Sequence, residues 1–203
     1  MRSRLALVAL AVLVTAMLAG CAAPPPIVSQ SPSSTPVAVD DSPASIVVSA
    51  EAVSVETTAG SVVESFAYTE TPGSVIPMLT KLFGAAPEVT EVPGLEQPAY
   101  MDYNWTGFEL HVLAEGSAPY LPLRVKVTVT SVADLLVTTT DGLSVGVDAD
   151  TVAARYPDST LTFTPPGAAP RYAIALGAAD GYTVGLEGET GGPITSIVAP
   201  QLG

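Results

Sequence analysis

The sequence is poor in the residues that most often build catalytic and metal sites. It contains one cysteine, one histidine and one tryptophan. A single cysteine cannot form a disulfide within the chain, and structural zinc sites need several cysteine or histidine ligands. A zinc site is therefore not expected, and no motif for a metal or a cofactor is recognised.

Positive charge is also scarce. There are 7 lysines and arginines against 20 acidic residues, which gives a formal net charge of −13. Proteins that bind nucleic acid neutralise its phosphates with lysine and arginine, so this composition excludes nucleic-acid binding. The acidity is typical of a soluble domain and favours cationic over anionic partners at long range.

The N-terminal segment has the features of an export signal. Arg2 and Arg4 precede an apolar run of about 15 residues that ends at Ala19, and a membrane-spanning helix needs roughly 20 residues. The run ends in Leu18-Ala19-Gly20-Cys21, which resembles the lipobox of bacterial lipoproteins. The resemblance implies cleavage before Cys21, a diacylglycerol on its thiol, and a domain held by lipid on the extracytoplasmic face of a cell membrane. The alternative is an ordinary signal peptide followed by an incidental cysteine.

Composition divides the chain into four segments. Residues 1–20 are the predicted signal peptide, and residues 21–44 are rich in proline, serine and threonine, which predicts a disordered tether. The remaining residues have the composition of a globular domain. We expect a first α+β repeat over 45–116 and a second over 121–203.

Strands dominate the globular part. Leu123 to Ser131 alternates apolar with polar residues, and so does Phe108 to Val112, which predicts strands with one buried face. His111 alternates with the apolar residues and is expected to face solvent. Further strands are predicted at 46–50, 53–57, 135–139, 161–164, 171–176, 182–187 and 194–199, separated by turns rich in glycine and proline.

Two short helices complete the predicted fold. Ser74 is expected to cap a helix that ends at Gly84, with Pro77 in its first turn. Asp148 or Asp150 is expected to cap a second helix that ends before Pro157. The predicted fold class is α+β, a mainly antiparallel sheet with two short helices.

An internal similarity raises the question of duplication. Residues 55–63 (VETTAGSVV) resemble residues 137–145 (VTTTDGLSV), and each segment follows a strand and precedes a helix. Two tandem strand–strand–helix–strands repeats would explain the similarity. Chance recurrence of threonine-rich strands and glycine turns is the other explanation.

The segment from Gly142 to Pro157 resembles part of SmpA/OmlA-like outer-membrane assembly lipoproteins and of the related β-lactamase-inhibitor-protein modules. In those families a strand that ends in glycine leads into a short helix packed on an antiparallel sheet. The resemblance implies an α+β module that binds other proteins without catalysis.

The sequence shows fragments of catalytic and calcium-binding motifs but no complete motif. Residues 142–146 match the G-x-S-x-G pattern of hydrolases, but His111 precedes Ser144 and no parallel sheet is predicted. Calcium has candidate carboxylates at Asp148, Asp150 and Asp158, or at Glu187 and Glu189, yet the spacing of a calcium-binding loop is missing. We therefore predict a protein that is not an enzyme.

Aromatic residues cluster within a short stretch, and this cluster is the candidate binding surface. Such a group can form a platform for a protein, a peptide or an envelope component. The same rings can instead fill the core between the first helix and the sheet. The cluster comprises Tyr100, Tyr103, Trp105, Phe108 and Tyr120.

The sequence leaves three functional classes. The first is a membrane-anchored lipoprotein that binds a protein or peptide without catalysis. The second is a structural or spacer lipoprotein of the envelope. The third is a hydrolase with an unrecognised site.

Overall fold

Strands make up most of the fold. The computed structural model describes residues 42–94, 98–114 and 119–203. The elements in chain order are β1 (Pro43–Val48), β2 (Ala52–Thr57), β3 (Val62–Ala67), α1 (Pro72–Phe83), β4 (Glu88–Val92), β5 (Tyr100–Trp105), β6 (Phe108–Leu113), β7 (Leu123–Val127), β8 (Ser131–Val132), β9 (Leu135–Thr139), α2 (Ala149–Arg155), a 3₁₀ turn (Pro157–Ser159), β10 (Thr160–Phe163), β11 (Arg171–Ala179), β12 (Tyr182–Glu189) and β13 (Ile194–Leu202). The α+β class with a mainly antiparallel sheet and two short helices is confirmed.

The strands form two sheets. A five-stranded sheet has the order β3-β2-β1-β9-β8, and an eight-stranded sheet has the order β10-β11-β12-β13-β7-β6-β5-β4. Within the five-stranded sheet, β1 and β9 pair in parallel, whereas every pair in the eight-stranded sheet is antiparallel. The β1–β9 and β6–β7 pairs both join the two predicted repeats.

One hydrophobic core lies between these elements. Ile46 and Val48 of β1, Leu110 of β6 and Leu186 of β12 are all fully buried, and the helices add Leu79 and Val152. Alternation places these side chains on one face of each strand, as expected for sheets with one covered face. The core therefore includes residues from both predicted repeats.

Helix α1 begins earlier than predicted. Its N-cap is Thr71, and Pro72 occupies the first turn, where a fixed φ suits the helix. The prediction that Ser74 caps the helix is wrong: its Oγ instead donates to the Thr71 carbonyl oxygen at 2.8 Å. Pro77 consequently lies inside the helix. The predicted stop is confirmed, because Gly84 adopts φ 67° at the C-cap.

Helix α2 follows the prediction closely. Asp148 is its N-cap, and Oδ1 accepts hydrogen bonds from the Thr151 backbone N–H (2.7 Å) and hydroxyl (2.5 Å). Asp150, the alternative cap, instead accepts from the Gly191 N–H at 3.1 Å. The helix ends at Arg155, ahead of Pro157 as predicted.

The strand predicted from Leu123 to Ser131 is shorter in the structure. β7 ends at Val127, and the Thr128 N–H donates to the Gly107 carbonyl at 2.9 Å. Thr130 then accepts from the Val137 N–H at 2.9 Å, so the chain has passed to the five-stranded sheet. Apolar alternation continues through this crossing because both sheets face the same core, which is why the sequence suggested one strand.

The two similar sequence segments adopt the same turn. Thr57 and Thr139 are both buried, and the backbone N–H of each donates to the carbonyl four residues later, at 2.9 and 2.8 Å. Gly60 and Gly142 have φ 76° and 74°. In the eight-stranded sheet, the strands run inward in the order β4, β5, β6, β7 from one edge and β10, β11, β12, β13 from the other edge. This is the strand order that a duplication would produce, and the duplication itself stays a prediction.

Candidate functional site

A charged cluster lies on the outer face of the eight-stranded sheet, which is the face opposite the core residues Leu110 and Val125. Cross-strand pairing places His111 of β6 between Asp102 of β5 and Arg124 of β7. Two residues along, Glu109 pairs with Lys126. We call these five residues the outer-face cluster. Directly opposed side chains on adjacent strands lie close enough to interact, so the register alone assembles it.

Three potential metal ligands converge within this cluster. His111 Nε2 lies 3.3 Å from Glu109 Oε2 and 3.7 Å from Asp102 Oδ1. All three donor atoms lie within 4.8 Å of one another. Lys126 Nζ donates to the same Glu109 Oε2 at 3.2 Å. The five residues of the cluster thus combine two carboxylates, an imidazole, an ammonium group and the Arg124 guanidinium.

His111 is buried, contrary to the expectation that it faces solvent. The alternation correctly placed it opposite the core face, but only 7% of the residue is exposed. The Tyr100 ring stacks on the imidazole with centroids 4.5 Å apart. Burial lowers the pKa of His111 and the Arg124 charge adds to this, while the hydrogen bond to Glu109 opposes it. The net lowering favours a neutral imidazole at neutral pH.

Asp102 is held in an environment that disfavours its charge. Its Oδ1 is buried and has no hydrogen-bond partner among the described residues. Burial raises the pKa of this carboxyl, the Glu109 carboxylate raises it further, and Lys126 lowers it. A buried carboxylate oxygen that lacks a donor is energetically unfavourable. A bound cation would relieve that cost.

A tyrosine-lined cavity adjoins the cluster. It lies at the end of the sheet where β5, β7 and β12 begin and where β6 and β13 end. It is narrow: the space between its walls is about 440 Å³ when open solvent is included, and only about 30 Å³ of it can hold the centre of a water molecule. Its lining is Pro98, Tyr100, His111, Leu113, Tyr120, Leu121, Leu123, Arg124, Tyr182, Pro200 and Leu202.

Arg124 is the cation of this cavity. It is half-buried, and its Nε is shielded from solvent without a hydrogen-bond partner in the described part of the chain. Burial lowers the pKa of Arg124, and Tyr100 and Glu187 oppose that shift. A guanidinium nevertheless stays protonated in proteins and carries five N–H donors. The cavity therefore pairs apolar and phenolic walls with a donor that lacks an acceptor.

The structure divides the five aromatic residues predicted as a binding surface. Tyr100 and the 41%-exposed Tyr120 line the cavity. Trp105 and Phe108 are buried in the core, where both rings contact Phe83 at centroid distances of 5.7 and 5.3 Å. Tyr103 is half-buried and packs against the same core. Trp105, Phe108 and Tyr103 thus belong to the core, and a role of the group in binding stays a prediction for Tyr100 and Tyr120.

Two other residues from the sequence analysis lie away from this site or cannot be placed. Ser144 lies in the loop between β9 and α2, whereas His111 faces carboxylates on the eight-stranded sheet. Cys21 lies outside the described residues. None of the helices in the described ranges is long and apolar enough to cross a membrane.

Sequence reasoning missed the most informative residues of the site. Arg124 and Asp102 alternate with apolar residues on their strands, which marks the face they share but not which strands are neighbours. Tyr182 comes from the far half of the chain, and its hydroxyl donates to the Pro119 carbonyl at 2.6 Å. Only the order of strands in the sheet brings these residues together.

Comparison with known proteins gives no relative from which a role could be transferred. No family model, no curated protein and no solved structure shows a significant match to this chain. Functional inference therefore depends on the residues and geometry of the chain itself.

Proposed function

We propose that this chain is an extracytoplasmic lipoprotein, anchored to a membrane by lipid on Cys21, whose folded domain binds a protein or peptide partner without catalysis. The binding part of the proposal is carried by one observation, the Arg124 guanidinium in the tyrosine-lined cavity. The class is thus an anchored binding module, and its ligand is a peptide segment that presents a carboxylate.

The chemistry of the cavity supports a carboxylate ligand. An Arg124 Nε–H that has no acceptor among the residues the structure describes leaves a buried donor unsatisfied, which costs about 1–3 kcal/mol. A carboxylate satisfies a guanidinium with short, charge-assisted hydrogen bonds. Tyr100, Tyr120 and Tyr182 supply rings against which apolar parts of a peptide can pack.

The acidic character of the whole chain does not oppose local binding of an anionic group. Interactions between exposed charges are largely screened beyond about 8 Å at physiological ionic strength. Among the described residues that line the cavity, Arg124 is the one that carries a charge when His111 is neutral. We therefore expect short-range recognition of a carboxylate without long-range attraction, and so an association rate that depends little on salt.

Short peptides with a free C-terminal carboxylate test this proposal. The full chain is titrated by calorimetry with a peptide library and with the same peptides bearing C-terminal amides. We expect saturable binding of free-carboxylate peptides. Arg124→Gln should weaken binding about 10-fold or more, because a hydrogen bond to a charged group contributes about 1.5–3 kcal/mol.

Arg155→Gln is the matched control. Arg155 is an exposed cation on α2, outside the cavity. Its substitution removes the same charge and should leave peptide affinity unchanged. Equal loss in both variants would show that only net charge matters, and equal binding of amidated peptides would remove the carboxylate from the proposal.

The anchor is tested separately from the ligand. Mass spectrometry of the mature chain should show an N-terminal Cys21 carrying a diacylglycerol. Cys21→Ser should leave the chain unlipidated and prevent cleavage at this site. An unmodified Cys21 thiol in the mature protein would contradict the anchor and leave the cavity unaffected.

The non-catalytic part of the proposal is supported by the separation of the hydrolase-like residues. Ser144 is in the loop before α2, and His111 is engaged with Asp102 and Glu109 in the outer-face cluster. We expect no activity in a screen of ester and amide substrates. An activity that disappears in Ser144→Ala would contradict this part.

A further inference from the structure

We propose that Asp102, Glu109 and His111 form a binding site for a divalent transition-metal ion, of which Zn²⁺ is a suitable probe. The three residues lie on adjacent antiparallel strands and face the same side of the sheet. The inference does not depend on the proposed function, because its ligands are not the residues proposed to bind the peptide, although His111 also lines the cavity.

The donor spacing is close to that of a metal site. Donors bound at about 2.1 Å to a tetrahedral zinc ion lie about 3.4 Å from one another. The His111–Glu109 and His111–Asp102 donor distances are 3.3 and 3.7 Å, and all three atoms lie within 4.8 Å. Small side-chain rotations would bring both carboxylates to bonding distance, and water would complete the coordination.

The donor types select the class of metal. One imidazole and two carboxylates suit borderline ions such as zinc, whereas calcium and magnesium prefer oxygen ligands alone. Sequence reasoning did not predict this ligand set, because the chain contains a single histidine and the three residues become neighbours only through the β5–β6 register.

A second observation points to a missing cation. Asp102 Oδ1 is buried and lacks a donor among the described residues, although it faces the imidazole. The Tyr100 ring restricts the orientation of His111 by stacking on it at 4.5 Å. A ligand set with a restricted histidine and an unsatisfied carboxylate is partly organised before the ion arrives.

Two cations of the cluster oppose metal binding and set its strength. Lys126 Nζ lies 3.2 Å from Glu109 Oε2 and must move when that oxygen binds an ion. Arg124 pairs with His111 on the other side and repels positive charge. Lys126→Met should therefore tighten metal binding by removing the competitor for Glu109.

Calorimetry with Zn²⁺ and absorption spectroscopy with Co²⁺ test the site. The full chain carrying Cys21→Ser is used, so that no thiol competes for the ions. We expect one ion per chain and d–d absorption from Co²⁺ with nitrogen and oxygen ligands. His111→Gln and Asp102→Asn should each weaken binding at least about 10-fold, and circular dichroism should show that both variants fold.

The same Zn²⁺ titration includes a control variant and two possible results that would contradict the metal site. Glu51→Gln removes an exposed carboxylate in the β1–β2 turn and should leave metal affinity unchanged. Absence of saturable binding at millimolar Zn²⁺ would overturn the proposal. Binding by His111→Gln as tight as in the parent chain would overturn it too, because the imidazole is the defining ligand.

Discussion

At the scale of single residues, the cap of α2 has a predictable dependence on pH. Asp148 accepts two hydrogen bonds from Thr151, and both lower the pKa of its carboxyl below the ordinary 3.8. A lowered pKa in the folded state means stability that is present above pH 3.8 and is lost as pH falls through the folded value. Asp148→Ala should therefore lower Tm near neutral pH, and the difference should shrink in acid.

Thermal unfolding of matched variants tests the role of Asp148 as the cap of α2. Asp148→Asn keeps an oxygen acceptor for the Thr151 N–H and should recover much of the lost Tm. Glu51→Ala removes an exposed acid without a cap and should leave Tm nearly unchanged. A Tm difference between Asp148→Ala and the parent that stays constant from pH 7 to below pH 3 would contradict the assigned role.

How far single residues could be predicted depended on whether their environment is local in sequence. Gly84 was predicted correctly and Asp148 was one of two predicted caps, because a cap is defined by the few residues beside it. The prediction of Ser74 as a cap was wrong although it is equally local, because Thr71 and Pro72 offer an earlier start for the helix. His111 was placed on the correct face but with the wrong exposure. The Tyr100 ring that covers it comes from the neighbouring strand, and periodicity within one strand carries no information about such a neighbour.

At the scale of elements, two hairpins offer a matched comparison. β5–β6 and β11–β12 are each joined by two residues with positive φ, at 106–107 and 180–181, as in type I′ turns. A Cβ on Gly181 would meet nothing within 4 Å, whereas a Cβ on Gly107 would lie 2.5 Å from Val129 Cγ1. The two glycines thus share a backbone conformation but not their surroundings.

Alanine substitutions at Gly181 and Gly107 separate the effect of the left-handed backbone from the effect of the contact with Val129. Gly181→Ala should destabilise the protein by about 1–2 kcal/mol through its left-handed backbone alone. Gly107→Ala should cost a further 1–3 kcal/mol or so, because Val129 must shift. Urea unfolding of both variants measures the difference, and equal losses would mean that the Val129 contact is relieved without cost.

Element types were easier to predict than element ends. Strand alternation located most strands, but β3 and β4 are exposed on both faces for much of their length, with Val62, Val63 and Val89 among the exposed residues, and were missed. The predicted strand at 123–131 proved to be parts of two strands in different sheets. Apolar periodicity reports that a segment faces the core, and it does not report which sheet the segment joins.

At the scale of the whole molecule, the shared core predicts a single cooperative unfolding transition. The chain's single tryptophan, Trp105, lies in the first predicted repeat, and Leu186 is fully buried in the second. Leu186→Ala should destabilise the protein by about 2–5 kcal/mol. Because both halves share the core, Trp105 fluorescence should report that full loss.

Two spectroscopic signals followed in the same urea titration test whether the two halves of the domain unfold together. Trp105 fluorescence and far-ultraviolet circular dichroism should give one midpoint in urea for the parent and one lower midpoint for Leu186→Ala. A fluorescence midpoint that stays in place while the circular dichroism midpoint falls would show that the halves unfold independently. Topology at this scale was beyond sequence reasoning, since the β1–β9 and β7–β13 pairs link distant segments.

The pseudo-symmetric order of the large sheet has a consequence for its chemistry. Counted from the two hairpin turns, Glu109 and His111 correspond to Thr183 and Gly185. Lys126 pairs with Glu109 and Gln201 pairs with Thr183, so Lys126 and Gln201 also correspond. A Cβ on Gly185 would lie 2.0 Å from Gln201 Oε1, so the amide occupies the room that a side chain would need. These three corresponding positions of the second half carry no charged side chain, although Glu187 lies further along β12 and Arg171 lies on the neighbouring β11, so we expect no ion to bind at the equivalent place.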